Sequence, residues 1–493
     1  MLNNLGLQNR GIHVISRRTL SRSIDAEHAL QMSAIKSTLE AAQYICTVVD
    51  IWWSRKRSFL GVTAHWIDAD LSRQCKTLSC RRFPGIHNYE RIAMILDEIH
   101  TEFNLNSTKI VETVTDNGSD FIEAFKEFGI SILNSDSIDL EEDDLDNEED
   151  DLREIIDPLD FQLACHFRCA AHTLNLSATK DANRILKVDN NTSLSEMHHN
   201  AIEKCNILWN AAGRPKTAEI IQGVLEHTLS KPGVKRWNSL YDAMKQIYSI
   251  KDKNIQLHRA LCLRNYISNR EYEYINEYIT CSCPIAEALD ILQGETIMYY
   301  GLLIPCLMAL RKKLQKLENI PLTYCHDLAA AYRQSVERRF DEFFKLFTSK
   351  GQHAIIATLS YPRFKNKWFS CITPHEQRRI KTLFKHEIAK EVSKNLSYSE
   401  NRVAADPENS FFDFESDSGS EADIQKQSLK TRADVIVSQY FTEEDRTFNV
   451  LDHYPEIKTI FKKYNTPLPS SASVEHLFFL RHYDKRAKVK QIV

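Results

Sequence analysis

Glycine and proline are scarce, 13 of each in 493 residues, against roughly 7% and 5% in an average protein. That excludes a collagen-like chain, and 43% hydrophobic with 26% charged residues excludes a mucin-like or wholly disordered one. Long apolar runs are missing too. The longest, Ile297–Leu310, is 14 residues and contains Pro305, short of the roughly 20 a membrane helix needs, so it reads as a buried helix and the chain as without a membrane partner. The first thirty residues lack a charged-then-apolar signal pattern. No cysteine precedes Cys46, and the 12 present are scattered. Reduced thiols in a soluble intracellular chain are therefore expected. No internal repeat is visible.

What is there is enough for two or three domains with a good core. The net charge of −4 conceals a split. Residues 136–157 hold thirteen acidic side chains and one Arg, a local −12 that leaves +8 on the rest. A mildly basic body is compatible with nucleic-acid binding, but the excess alone does not identify it.

The pattern along the chain predicts a basic, helical N-terminal piece (1–40) with Arg10, Arg17, Arg18 and Arg22, its helix near 24–41. Strands follow at Tyr44–Asp50, Ser58–Asp68 and Cys75–Phe83, then a helix over 88–103 with Ile92, Ile95, Leu96, Ile99 and Phe103 on one face. Lys109–Thr115 reads as a strand, Phe121–Phe128 as a helix, Phe161–Ala164 as a further strand and Ala170–Ala178 as a helix. This is an α/β layout over 41–180, carrying an acidic insert at 136–157 too polar to fold. Residues 181–434 read as helical, with a loose Ser-, Asp- and Glu-rich segment at 400–427, and 435–493 as a last helical part.

Asp50 and Asp116 each follow a predicted strand. Strand ends point carboxylates rigidly into a crevice at the sheet edge. Two carboxylates about 4 Å apart repel by roughly 4 kcal/mol at an effective dielectric near 20, which a divalent cation relieves. A strand-end Asp is also a common turn former, and spacing leaves both readings open.

Seven local words occur in one order: VVDIWWSRKRSFLGVTAHWID (48–68), TVTDNGSDF (113–121), FRCAAHTLNL (167–176), KRWNSLYDAM (235–244), LQGE (292–295), YPRFKNKW (361–368) and PLPSSASVEHLFF (467–479). Together they resemble transposases of the hAT superfamily and the host proteins derived from them, many of which carry BED zinc fingers. The resemblance runs over about 14–480. It implies an α/β, RNase H-like catalytic core interrupted by a large all-helical insertion domain. It further implies an Asp–Asp–Glu triad, here Asp50, Asp116 and Glu475, binding two Mg²⁺ or Mn²⁺ ions for DNA cleavage and strand transfer. No small-molecule cofactor is implied.

The same resemblance gives Cys169-x-x-His172 a role in ordering the active site and flanking DNA. One such pair cannot supply four zinc ligands. It places Trp237, with Arg236 beside it, against a base at the cleaved DNA end. It also makes the chain a nuclear, self-associating DNA-binding protein, with Val474, Leu477 and Phe478 in a C-terminal dimerisation region. Val474, Leu477 and Phe478 recur at helical spacing, and Glu475 falls at the edge of their stripe. The sequence departs from the family at His476 and Phe479, fades after Leu480 into a basic tail with Lys485–Lys490, and shows no cysteine pair for a BED finger before Cys46. Two readings stay open: a metal-dependent DNA transposase, and a catalytically inactive domesticated protein acting by dimerisation and DNA or chromatin binding.

Overall fold

A computed structural model describes residues 16–54, 57–85, 88–106, 109–130, 162–187, 192–233, 237–294, 298–400 and 421–474. The acidic run 136–157, Arg236, Glu475, Leu477, Phe478 and the basic tail lie outside them. The fold is mixed α/β, with one five-stranded sheet and otherwise mostly helices. Two compact units divide it: one from described residues within 1–130, 154–166 and 473–493, the other from those within 131–153 and 167–472. No described helix is long and apolar enough to cross a membrane.

The first unit opens with α1 (Arg17–Ala41), begun by Ser16, whose hydroxyl accepts the Thr19 N–H at 3.1 Å. Then come β1 (Ile45–Ser54), β2 (Arg57–Ile67), β3 (Arg73–Arg82), α2 (Tyr89–Glu102), β4 (Ile110–Thr115) and α3 (Ser119–Phe128). The short β5 (His166–Arg168) stands where the chain passes into the second unit. Sheet order is β3-β2-β1-β4-β5, antiparallel between β1, β2 and β3 and parallel between β1 and β4. The expected strand at 161–164 reduces to a single bridge between Leu163 and Gly129.

The β-branched run of β1 is buried on both faces, as inner strands require. One face, with Ile45, Val49, Leu60, Val62 and Ala64, packs on Ile92, Leu96 and Ile99 of α2 and on Phe121 and Phe125 of α3. The other carries Val48, Asp50 and Trp52 of β1 opposite Thr63, Gly61 and Phe59 of β2.

In the second unit α4 (Ala170–Leu176) runs into a π-helical turn, Ser177–Asp181. Asp181 is buried against Ser335 and Arg339 (2.6 and 2.9 Å), with Arg338 at 3.1 Å. Burial pushes its carboxyl up, but the hydrogen bonds and the two guanidiniums outweigh it and bring the pKa down to about 2. Long helices follow, among them Asn269–Gln293, with Pro284 inside it, and Pro374–Glu400. The segment expected to be loose over 400–427 begins and ends in helix: Pro374–Glu400 includes its first residue, and a further helix starts at Glu421.

Candidate functional site

Asp50 is not at a strand end. β1 continues through Ser54, because Ile51–Ser54 stay paired with Arg57–Leu60 in the hairpin after the parallel pairing to β4 has stopped at Val48↔Val114. Asp116 does follow directly on β4. Asp50 and Asp116 each lie two residues beyond Val48 and Val114, the last pair at which β1 and β4 are matched. The register is pinned on the opposite face by the Thr47 and Thr113 hydroxyls, 2.8 Å apart. Both acids are half-buried.

The turn after β4 explains the Asp-Asn-Gly word. Asp116 Oδ1 accepts the Gly118 N–H at 3.0 Å, and a Cβ on Gly118 would lie 3.1 Å from that oxygen. The side chain thus folds back over the start of α3 and fixes its own orientation. Thr115 Oγ1 donates to the Asp116 carbonyl at 2.8 Å and lies 2.8 Å from His166 Nε2. The His166 ring in turn stacks on Phe125 at 4.5 Å.

The C-terminal end of the described chain returns to the same sheet face. Gly61 is the antiparallel partner of Asp50, and a Cβ there would meet Trp52 at 2.9 Å and Val474 Cγ2 at 3.2 Å. Glycine is what lets Val474 approach. Ser473 Oγ lies 3.1 Å from His65 Nε2, which also meets Thr63 Oγ1 at 2.9 Å. Val474, one of the three residues expected in a C-terminal dimerisation region, is fully buried, its side chain against the Gly61 backbone of its own sheet. Glu475 is the next residue in the chain. Among the described residues, no group of three or more His, Cys, Asp or Glu is placed to hold a metal.

Within the second unit, Cys169 caps α4. Its sulfur accepts the N–H of His172 and of Ser471, each at 3.2 Å, and the Pro469 carbonyl accepts from Ala170 (2.8 Å) and Ala171 (3.3 Å). The Cys-x-x-His word is thus a clamp on the Pro-Ser-Ser segment. Trp237 is 6% exposed, its ring stacked on Tyr241 at 6.1 Å and edge-on to Tyr332 at 6.4 Å. His65, Thr115 and His166, which hold the ends of the site, escaped sequence reasoning because each looks like an ordinary strand residue. Only their pairing across distant segments marks them.

A five-stranded mixed sheet carrying helices is consistent with an RNase-like domain. Residues 48–142 match the family model described as the ZBED1 RNase-like domain, a stretch that includes Asp50 and Asp116. A domain of that kind fits a transposase-derived protein. No curated protein matches the chain.

Proposed function

We propose that this chain is an hAT-type transposase-derived protein that acts on DNA in the nucleus, with an RNase H-like core interrupted by a helical insertion. Asp50, Asp116 and Glu475 would hold Mg²⁺ or Mn²⁺. The observation that carries this is that Asp50 and Asp116 each lie two residues past the last paired residues of β1 and β4, within the segment that matches the family model. The donor set fits a hard cation: both aspartates offer carboxylate oxygens, without sulfur or imidazole in the pair. When bound, such cations supply an activated water or 3′-hydroxyl and stabilise the leaving oxygen in phosphodiester cleavage. The chain's own part is positioning. The Gly118 N–H orients Asp116, the hairpin pairing to Gly61 holds Asp50, and Val474 on Gly61 anchors the residue before Glu475.

The test is Mn²⁺-dependent nicking of supercoiled plasmid by the purified chain beside Asp116→Asn and Glu475→Gln. Both substitutions keep shape and remove charge. Each is expected to lower nicking by about 100-fold or more, the scale of losing one charge-stabilising group in a transition state. Equal nicking by wild type and Asp116→Asn would remove the catalytic assignment. A folded wild type that never nicks would leave the inactive, self-associating DNA-binding reading.

A further inference from the structure

The basic excess of the chain is not spread over it. Residues 345–386 hold nine Lys and Arg against one acid, Glu376, a net of +8. That equals the whole excess left outside the acidic run, so the remainder is balanced. Several of the nine are already engaged: Lys345 with Asp341 (2.6 Å), Lys350 with Glu342 (3.2 Å) and Lys385 with Asp434 (2.7 Å). Lys365 is fully buried, its Nζ donating to the carbonyls of Glu443 (2.9 Å) and Asp445 (3.1 Å). Glu376 is spoken for as well, closing a capping box with Thr373 at the start of the helix Pro374–Glu400.

Arg378 and Arg379 differ. Both are exposed, and among the described residues neither has a carboxylate within ion-pairing distance. They line a cleft of about 410 Å³ with Phe347, Gln352, His375 and Thr382. The Arg379 guanidinium sits 3.7 Å from the centre of the Phe347 ring, which fixes it at little further entropic cost on binding. The two arginines lie in the first turns of a 27-residue helix, where the backbone dipole adds positive potential. Next to it, a cleft of about 370 Å³ holds Arg311 over Phe344 at 5.0 Å. Arg363 and Lys367 of the same stretch are exposed too, so the cationic surface outruns a single phosphate.

We propose that the cleft between Phe347 and the first turns of Pro374–Glu400, in the second unit, docks the phosphodiester backbone of DNA. Guanidinium, imidazole, amide and hydroxyl donors around one cleft match phosphate oxygens. Such contacts give position rather than sequence choice. The proposal rests on the reading of the chain as a DNA-acting protein and names a second surface for that DNA.

The experiment is fluorescence anisotropy of a labelled DNA duplex titrated with the full chain in EDTA across a salt series, so that binding is read without metal chemistry. Wild type, Arg378→Glu/Arg379→Glu, and a control Lys390→Glu/Lys394→Glu farther along the same helix are compared, with circular dichroism confirming that each is folded. The arginine double variant is expected to bind at least tenfold more weakly. Its log K against log salt slope should shrink by about 2, since each lost phosphate contact removes about 0.9. The control should bind as wild type does. Unchanged affinity and slope in the double variant would overturn the proposal, as would a wild type that does not bind. Displacement of the duplex by poly-glutamate as readily as by unlabelled DNA at matched charge would overturn it in favour of an acidic protein segment.

Discussion

Among the described residues, burial holds His258 down in pKa and three further histidines far down. Burial, with Arg73 nearby, pushes His65 down to about 3, burial alone brings His100 to about 4, and burial, then the neighbouring His199, brings His198 to about 4. In the unfolded chain each protonates near 6.5. Between about pH 6.5 and 4 the unfolded state therefore binds protons that the folded state does not, and stability falls as pH falls. Each such histidine costs about 2 kcal/mol at pH 5 relative to pH 7. Urea denaturation at the two pH values is expected to show this loss, and His100→Phe should lower it by about that amount. An unchanged loss in the variant would remove His100 as a contributor. His65 connects the effect to the site, because its neutral ring is the partner of Ser473.

At the scale of the element, the first hairpin shows what a strand pattern discloses and what it does not. The alternation of Ser58–Asp68 and the β-branched run before Asp50 were enough to locate β2 and β1 within a few residues. Asp50 stood out as an acid among apolar neighbours, and Asp116 as the acid that closes a strand-like run. That β1 runs on past Asp50 was hidden, because the hairpin extension is fixed by pairing across the turn rather than by local apolarity. Trp237 was legible as an aromatic in a helical region, but its enclosure by Tyr241 and Tyr332 depends on a helix almost a hundred residues away. Gly61 was illegible for the same reason, since its role depends on Val474. Gly61→Ala puts a methyl where Trp52 and Val474 already are. Overpacking of this kind costs about 1–3 kcal/mol. The variant should lose stability on that scale, and nicking should fall further than folding loss alone explains, because Val474 immediately precedes Glu475. A variant as stable and as active as wild type would show that Val474 yields freely.

The first unit is discontinuous in sequence: it takes its last described residues, Ser473 and Val474, from beyond Phe167–Ala472, whose described residues are mostly helical. Removing residues 473–493 should therefore be felt at the sheet. Loss of the Ser473–His65 hydrogen bond and of the buried Val474 side chain together cost at least about 2 kcal/mol. Hydrogen exchange is expected to speed up in the amides of β1 and β2 while the amides of Asn269–Gln293 keep their protection. Unchanged protection in β1 and β2 would mean that the C-terminal segment contributes nothing to that unit.

That same discontinuity sets a clock during synthesis. At about 5–20 residues per second, the roughly 300 residues between the strands and their closing segment take about 15–60 seconds to emerge from a ribosome. Through that interval β1 and β2 are complete, yet the hollow over Gly61 still waits for Val474. The nascent chain carries Asp50 on an unfinished face until Val474 has emerged to cover Gly61.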